Sequence, residues 1–585
     1  MAEQIISPGV FQNENVPVAL EAAAAPIGAA IVGPTVKGPM NIPTTVTTYS
    51  DYKQRFGAGL VSGGIEYSYF TNISAQNYFK QGGSNLLVTR VASGSGTFTA
   101  ATSSLIPTGG QQGAMPANHS AADVFQLKTI SVGANQNAAT TETAGNALET
   151  GSADNLRWEI ANVDTGSGIF TLNIRQGNDR LADKVVLESF RGVSLDPKRD
   201  DYIAKVIGNQ EFTIGVDGTD SYVEVTGEYP NKSKYVVVST VNNPTPDYLD
   251  GAGNFKTEFT SSLPAAGSGS FGDAVGSLIF AGSGGTKFYK DITNTNSQGL
   301  IDDDYSSSLD LLKNKDQYAY NVLSVPGLVY AFADHKTVLD NLITTTTTRG
   351  DSILPIDLVA HGSTTAAAIT EAGKLNTNYA AAYWPWLLVN DEDTSANVWC
   401  PASTIIPSVY IFNDNTSEAW FAPAGFTRGT MPNVVAPEKT LPRGLRDSLY
   451  TAKINPIATF PGTGVVVYGQ KTLQSLSTAL DRVNVRRLMI SLKGFIGNVS
   501  QNLVFEPNSL QTRNSFLSVV NPYLESVQQN QGLYAFKVVM DDSNNGPDVI
   551  DRQELRGAIY LQPVKTAEFI VLDFNLLPTG AEFPS

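Results

Sequence analysis

Residues 320–363 read YNVLSVPGLVYAFADHKTVLDNLITTTTTRGDSILPIDLVAHGS. The flanking runs, YNVLSVPGL and PIDLVAHGS, are short and apolar, as buried strands are. Between them HKTVLDNLITTTTT has the apolar spacing of a helix. A strand, a helix and a strand in succession predict an α/β fold for this part of the chain. YAAAYWPWLLV (379–389) supplies one further buried strand.

The pattern extends toward the N-terminus. IGAAIVG (27–33) reads as a strand, and SDYKQRFG (50–57) as a short helix capped by Ser50 and stopped by Gly57. EYSYFTNISAQNYFKQGG (66–83) is a longer helix closed by Gly82 and Gly83, and NLLVTRV (85–91) a strand. Residues 94–156 turn to Ala, Thr, Ser, Gly and Asn, predicting a loop-rich inserted module. From 157 to about 240, alternating runs such as FTLNIR, DKVVLESF, SYVEVTGEY and KYVVVST predict a small antiparallel domain, followed by a Gly/Ser-rich stretch near 250–286. Residues 1–23 read as an arm, because Pro8-Gly9 and Pro17 spoil any long regular element.

Toward the C-terminus, LRDSLYTAKI reads as a helix, GTGVVVYG as a strand, and DRVNVRRLMISLKGFIG (481–497) as a helix with Val485, Leu488, Met489, Leu492 and Ile496 at helical spacing. YAFKVVM and LRGAIYLQPV bracket the turn-rich DDSNNGPD as a long-looped hairpin would. Residues 568–576 read as a strand with Ile570, Leu572, Phe574 and Leu576 on one face and Asp573 and Asn575 on the other. Two readings are open for it: an ordinary strand of its own domain, or an edge meant for another chain.

At 585 residues the chain is expected to hold several domains. Its 52 glycines and 30 prolines fit a turn-rich, β-rich or mixed build. A net charge of −16 disfavours nucleic acid or an anionic membrane as partner. The C-terminal quarter, 441–585, is near neutral with 13 basic and 12 acidic residues, so the rest carries the excess negative charge. Cys400 is the only cysteine, which excludes an internal disulfide and fits synthesis in a reducing compartment. The N-terminus has no signal-peptide pattern, and the apolar run at 17–34 is broken by Glu21 and Pro26.

Catalytic chemistry is sparse. The three histidines are His119, His335 and His361. His361, with Asp351, Asp357 and Ser363 nearby, could seed a Ser-His-Asp arrangement, but no G-x-S-x-G elbow presents a nucleophile. One cysteine and scattered histidines do not make a zinc site. DDSNNGPDVIDR imitates a calcium loop until its twelfth place, where Arg552 replaces the required Glu, so it is read as a turn. IDDDY (301–305) and NDED (390–393) read as solvated loops. Phosphate-cradling motifs are absent, with Val467 where a dinucleotide fingerprint needs its third glycine. No catalytic residue, metal or cofactor is expected. Arg486, Arg487 and Lys493 predict a basic helix face, either solvated or turned to an acidic partner.

Several long motifs occur in a family's order. INPIATFPGTGVVVYGQKT, DRVNVRRLMISLKGFIG, LVFEPNSLQTRNSF, NNGPDVIDRQEL and YLQPVKTAEFI closely resemble the tail sheath proteins of contractile-tailed phages, particularly the T-even-like group. ISPGV, GPTVKGPMNIP, YFKQGGSNLLVTRV and FRGVSLDPKRDDYIAKVIG are similar to earlier landmarks of that family. The resemblance covers about 1–95, 185–210 and 300–585. It implies a multidomain α/β and β-rich chain whose conserved α/β core is discontinuous in sequence, with inserted antiparallel β domains and extended N- and C-terminal arms. The implied divisions are an N-terminal exchange arm (1–23), the first part of the α/β core (24–95), inserted outer β-rich domains (96–299), the second part of the α/β domain, subtilisin-like in fold but non-catalytic (300–440), an inner C-terminal domain (441–566) and a C-terminal exchange strand (567–585).

In that family, subunits stack as hexameric rings around a tail tube and contract on a baseplate signal, without nucleotide, to drive the tube through the host envelope. The implied partners are neighbouring copies of the chain, the tail tube protein, and baseplate and tail terminator proteins, with no nucleic acid and no membrane insertion. The implied place is the virion tail, after synthesis in the host cytoplasm. Ser7, Pro8, Gly9 and Val10, with Ile570, Leu572, Phe574 and Leu576, would exchange strands with a hairpin of neighbouring subunits. Arg486, Arg487 and Lys493 would face the tube. The sheath of a phage-tail-like bacteriocin or contractile secretion system is the near alternative. A glycan-gripping surface module and a serine hydrolase built on 300–440 are the alternatives of other classes.

Overall fold

The computed structural model describes residues 28–62, 65–93, 98–110, 113–139, 141, 147–218, 220–276, 288–300 and 302–568. The N-terminal arm with Ser7, Pro8, Gly9 and Val10, and the strand carrying Ile570, Leu572, Phe574 and Leu576, lie outside the described residues.

At the centre, Ala29–Gly33 pairs in parallel with Leu86–Arg90 on one side and Val322–Ser324 on the other, and Leu86–Arg90 takes Thr44–Val46 antiparallel at the edge. A parallel bridge from Val322 to Ile353 carries this sheet into the next. There Leu354–Ile356, Ala380–Trp384 and Ile454–Phe460 run parallel, and Gly464–Val467 closes the far edge antiparallel. A mostly parallel sheet needs cover on both faces, which explains why Ala29–Gly33, Leu86–Arg90 and Ala380–Trp384 are buried along their whole length. Alternate residues serve opposite faces. Ile31, Val88 and Tyr383 join a core under helices Phe70–Lys80 and Ile406–Thr416, while Ala30, Val32, Leu87 and Trp384 join another under Ala333–Arg349, Thr365–Ala372 and Arg443–Thr451.

Several expectations need correction. Thr48, not Ser50, caps the Tyr49–Phe56 helix, its side chain accepting from Asp51 N at 3.0 Å; Gly57 does end it, at φ +75°. The single strand expected at 379–389 is two, because Leu387–Asp391 turns away to pair with Ala396–Cys400 and Val434–Pro437 in a separate sheet. NDED is no solvated loop. Asp391 is fully buried, and the Asp393 carboxylate accepts from Tyr49 Oη, from Asn72 Nδ2 at 3.3 Å and from Gln76 Nε2 at 3.4 Å, clasping this sheet to the first helices. Asp304 of IDDDY is buried as well.

Between 98 and 276, seven antiparallel strands form one sheet around a separate core, ordered Val186–Ser194, Ile169–Gln176, Leu156–Asp164, Gly267–Gly272, Ala100–Ser103, Phe125–Val132 and Val236–Val241. Phe125–Val132 lies in the stretch expected to be loops. Its alternating Phe125 and Leu127 face the core, a signal that the surrounding Ala, Ser and Gly residues hide. Arg157, Arg175 and Asp179, all with fully buried side chains, form a compact ionic cluster in this domain.

The C-terminal unit packs helices Val483–Gln501 and Leu510–Gln529 against the hairpin Leu533–Val539/Ala558–Pro563. Leu488, Leu492, Phe516, Val520 and Leu524 form its core, and the Phe495 and Tyr523 rings stack 3.7 Å apart. Among the described residues no helix is long and apolar enough to cross a membrane.

Candidate assembly site

The hairpin is where a surface for other chains would be built. Its cross-strand pairs Phe536↔Leu561 and Val538↔Ile559 turn inward onto the helices, while Tyr534 and Tyr560 stand 61% and 63% exposed. Among the described residues the two strands pair only with each other, so no further strand occupies either outer edge, though Gln528 Nε2 donates to Tyr534 O at 2.8 Å and Asn544 Nδ2 to Val539 O at 2.7 Å. Buried Asn545 ties the intervening loop shut, donating to the carbonyls of Asp541 and Arg556 and accepting from Arg556 N at 2.8 Å.

The helix Val483–Gln501 forms where expected, but its basic face does not. Arg486 is buried with its guanidinium 4.1 Å from the Tyr379 ring centre. Arg487 is buried over Tyr410 and donates from Nη2 to Asp414 at 2.5 Å. Both lie in the first turns of the helix, which are sunk against the α/β domain, so the reading of Arg486 and Arg487 as tube-facing is corrected. Lys493, two turns on, is exposed.

The last described residues are held by a site that sequence reading missed. Arg482, just ahead of the helix, grips the Glu568 carboxylate with both arms, Nε to Oε1 at 2.7 Å and Nη2 to Oε2 at 3.1 Å. Tyr450 Oη donates to Oε2 at 2.8 Å and Gln470 Nε2 to Oε1 at 3.1 Å. Burial works to raise the Glu568 carboxyl, but the bonds from Arg482 and Tyr450 outweigh it and hold the group below the usual carboxylate range. The same contact, after burial itself, pushes the Tyr450 phenol up. No spacing rule could find this site, since its members lie 86 to 118 residues from Glu568.

The residues of the Ser-His-Asp reading go to different partners. Asp357 receives Ser403 Oγ and Ser403 N, the latter at 3.0 Å. Asp351 pairs with Arg349 at 2.8 Å, and the Ser363 carbonyl accepts from Lys439 Nζ. His361 packs among the rings of Tyr289, Trp386 and Trp399. His119 meets Ser262 Oγ at 2.6 Å, and His335 Nδ1 accepts from Val329 N at 3.1 Å. Among the described residues no group of three or more His, Cys, Asp or Glu side chains is placed to hold a metal ion.

Residues 476–576 match the family model of the phage tail sheath C-terminal domain. The chain is 38% identical to the tail sheath protein of Vibrio phage KVP40 over 220 residues, which are 38% of this chain and 33% of that protein. It is 36% identical to the tail sheath protein of Enterobacteria phage T4 over 229 residues, 39% of this chain and 35% of that one. The match thus spans about a third of the length of each relative. In fold, 93% of the chain aligns with 96% of a sheath tail protein from Listeria innocua, at a TM-score of 0.51 and 7% identity. The family resemblance read from the sequence is found again in these matches.

Proposed function

We propose that the chain is the structural subunit of a contractile phage tail sheath, polymerising as stacked hexameric rings around the tail tube and contracting to drive the tube through the host envelope. The observation that carries this reading is the coincidence of the sheath C-terminal domain match at 476–576 with a hairpin whose two outer edges are unpaired among the described residues. Such edges accept added strands through backbone hydrogen bonds, with alternating side chains setting the register.

In this reading the inner domain is drawn from 441–566, of which residues 443–467 complete the α/β sheet and the helical unit begins at Val483, and the α/β core joins 24–95 to 300–440, which agrees with the pairing of Ala29 with Val322. The seven-stranded sheet belongs to the outer domains within 96–299. The arm 1–23 and, from the C-terminal segment 567–585, the strand beyond Glu568 enter neighbouring subunits through Ser7, Pro8, Gly9 and Val10 and through Ile570, Leu572, Phe574 and Leu576. Of the three cations expected at the tube, Lys493 is the one offered to it. The partners are other copies, the tube protein, and baseplate and terminator proteins, and the place is the virion tail after synthesis in the host cytoplasm. The role is mechanical and non-enzymatic. The phage origin of the matched relatives favours a phage tail over a bacteriocin or secretion sheath.

Electron microscopy of the purified chain, alone and with tube protein, tests this. Hollow tubes or stacked rings are expected. A chain that stays dispersed in both conditions would remove the proposal.

A further inference from the structure

The segment from Val564 to Glu568 is tied down without an apolar anchor. None of its five residues is buried, and Lys565 and Ala567 are exposed. Val564 N donates to Gly532 O at 3.1 Å, Gln470 Nε2 donates to Thr566 Oγ1, and the rest of the hold is the grip on Glu568. That grip draws Tyr450 from the Arg443–Thr451 helix, Gln470 from beyond the Gly464–Val467 strand, and Arg482 from the residue capping Val483–Gln501. A bidentate Arg–carboxylate pair fixes direction as well as position. Three elements therefore converge on one side chain, and that side chain stands two residues ahead of Ile570.

We propose that Glu568, held by Arg482, Tyr450 and Gln470, is the fixed root from which the C-terminal strand leaves its own subunit. The inference rests on the sheath reading and adds to it a geometric limit. Pairing that begins at Ile570 would place the neighbour's hairpin edge within about 7 Å of Glu568, the reach of two residues.

Glu568, Arg482 and their partners act as positioning residues, so the test reads position and assembly separately. Full-length chain carrying Glu568→Gln or Arg482→Met is digested with trypsin before assembly, and release of residues 566–585 by cleavage after Lys565 is followed by mass spectrometry. Both variants are expected to melt like the parent, to be cut after Lys565 at least tenfold faster, and to lose most tube formation. The charge-swapped pair Glu568→Arg with Arg482→Glu is expected to restore part of the protection and part of the assembly. Cleavage as slow as the parent's in both single variants would overturn the anchor. Fast cleavage with undiminished assembly would overturn its role as the root of the exchanged strand. A parent chain protected after Lys565 that never polymerises, even with tube protein, counts against the sheath reading and leaves the anchor standing.

Discussion

Arg487 Nη2 lies 2.5 Å from Asp414 Oδ2, which joins the helix of the C-terminal unit to the Ile406–Thr416 helix of the α/β domain. With only 4% of the arginine side chain exposed, and its guanidinium over the Tyr410 ring, the cation is part of the interior. Arg487→Glu would place two carboxylates together where an ion pair stood. The expected loss is about 3 kcal/mol or more of subunit stability, seen as an earlier calorimetric transition of the unassembled chain. A variant that melts normally and fails only on the tube would return Arg487 to the surface.

Lys493 predicts the opposite separation. It is exposed, so Lys493→Glu should change subunit stability by no more than about 0.5 kcal/mol. If it meets an acidic tube, the same change should weaken sheath formation on the tube, and more so at low salt, where charge is less screened. Co-sedimentation with tube protein at two ionic strengths measures this.

The seven-stranded domain holds a buried ionic cluster centred on Asp179. Asp179 accepts from Arg157 Nη1 at 3.1 Å and from Arg175 at 2.7 and 2.9 Å, all three side chains fully buried. Asp179→Ala leaves two buried cations short of their counter-charge, at a cost of about 3–5 kcal/mol. The seven-stranded sheet has its own core, so the loss should fall on a separate, lowered unfolding transition while the α/β transition stays in place.

Asp357 sets a pH dependence. Burial pushes its carboxyl up to about 7, against the bonds donated by Ser403 and Ala402. An unfolded aspartate titrates near 4, so between pH ~4 and ~7 the folded chain keeps a proton that the unfolded chain has lost. The stability contributed by the site therefore falls as pH rises through that window and is level above it. Asp357→Asn removes the titration, so its stability relative to the parent should improve by about 2–3 kcal/mol from pH 5 to pH 8. Urea melts at the two pH values check this, and an equal difference at both would refute it.

The elements that could be read in advance carried local signals. The strand–helix–strand at 320–363, the helix at 483–501 and the hairpin around DDSNNGPD each announced themselves by period or turn chemistry. Their assembly did not. Nothing in residues 29–33 names Val322 as a partner, because parallel neighbours are joined through long connections and buried strands share one apolar composition. The helix Leu510–Gln529 carries no clear signal, since Pro522 interrupts its pattern. Arg486 and Arg487 looked like surface charge because the rings and carboxylate that receive them lie on Tyr379, Tyr410 and Asp414, far back in the chain. The Glu568 grip was hidden for the same reason. The sheath motifs were legible as text, whereas the grip had to be seen in space.

A cryo-electron microscopy map of the assembled polymer, resolved well enough to trace the chain past Glu568, would decide between an exchanged and a retained strand. Residues 570–576 are expected to lie as an added strand against a neighbour's Leu533–Val539/Ala558–Pro563 hairpin, with Glu568 still in the hand of its own Arg482. A polymer in which residues 570–576 fold back onto their own subunit, leaving the hairpin edges empty, would contradict it.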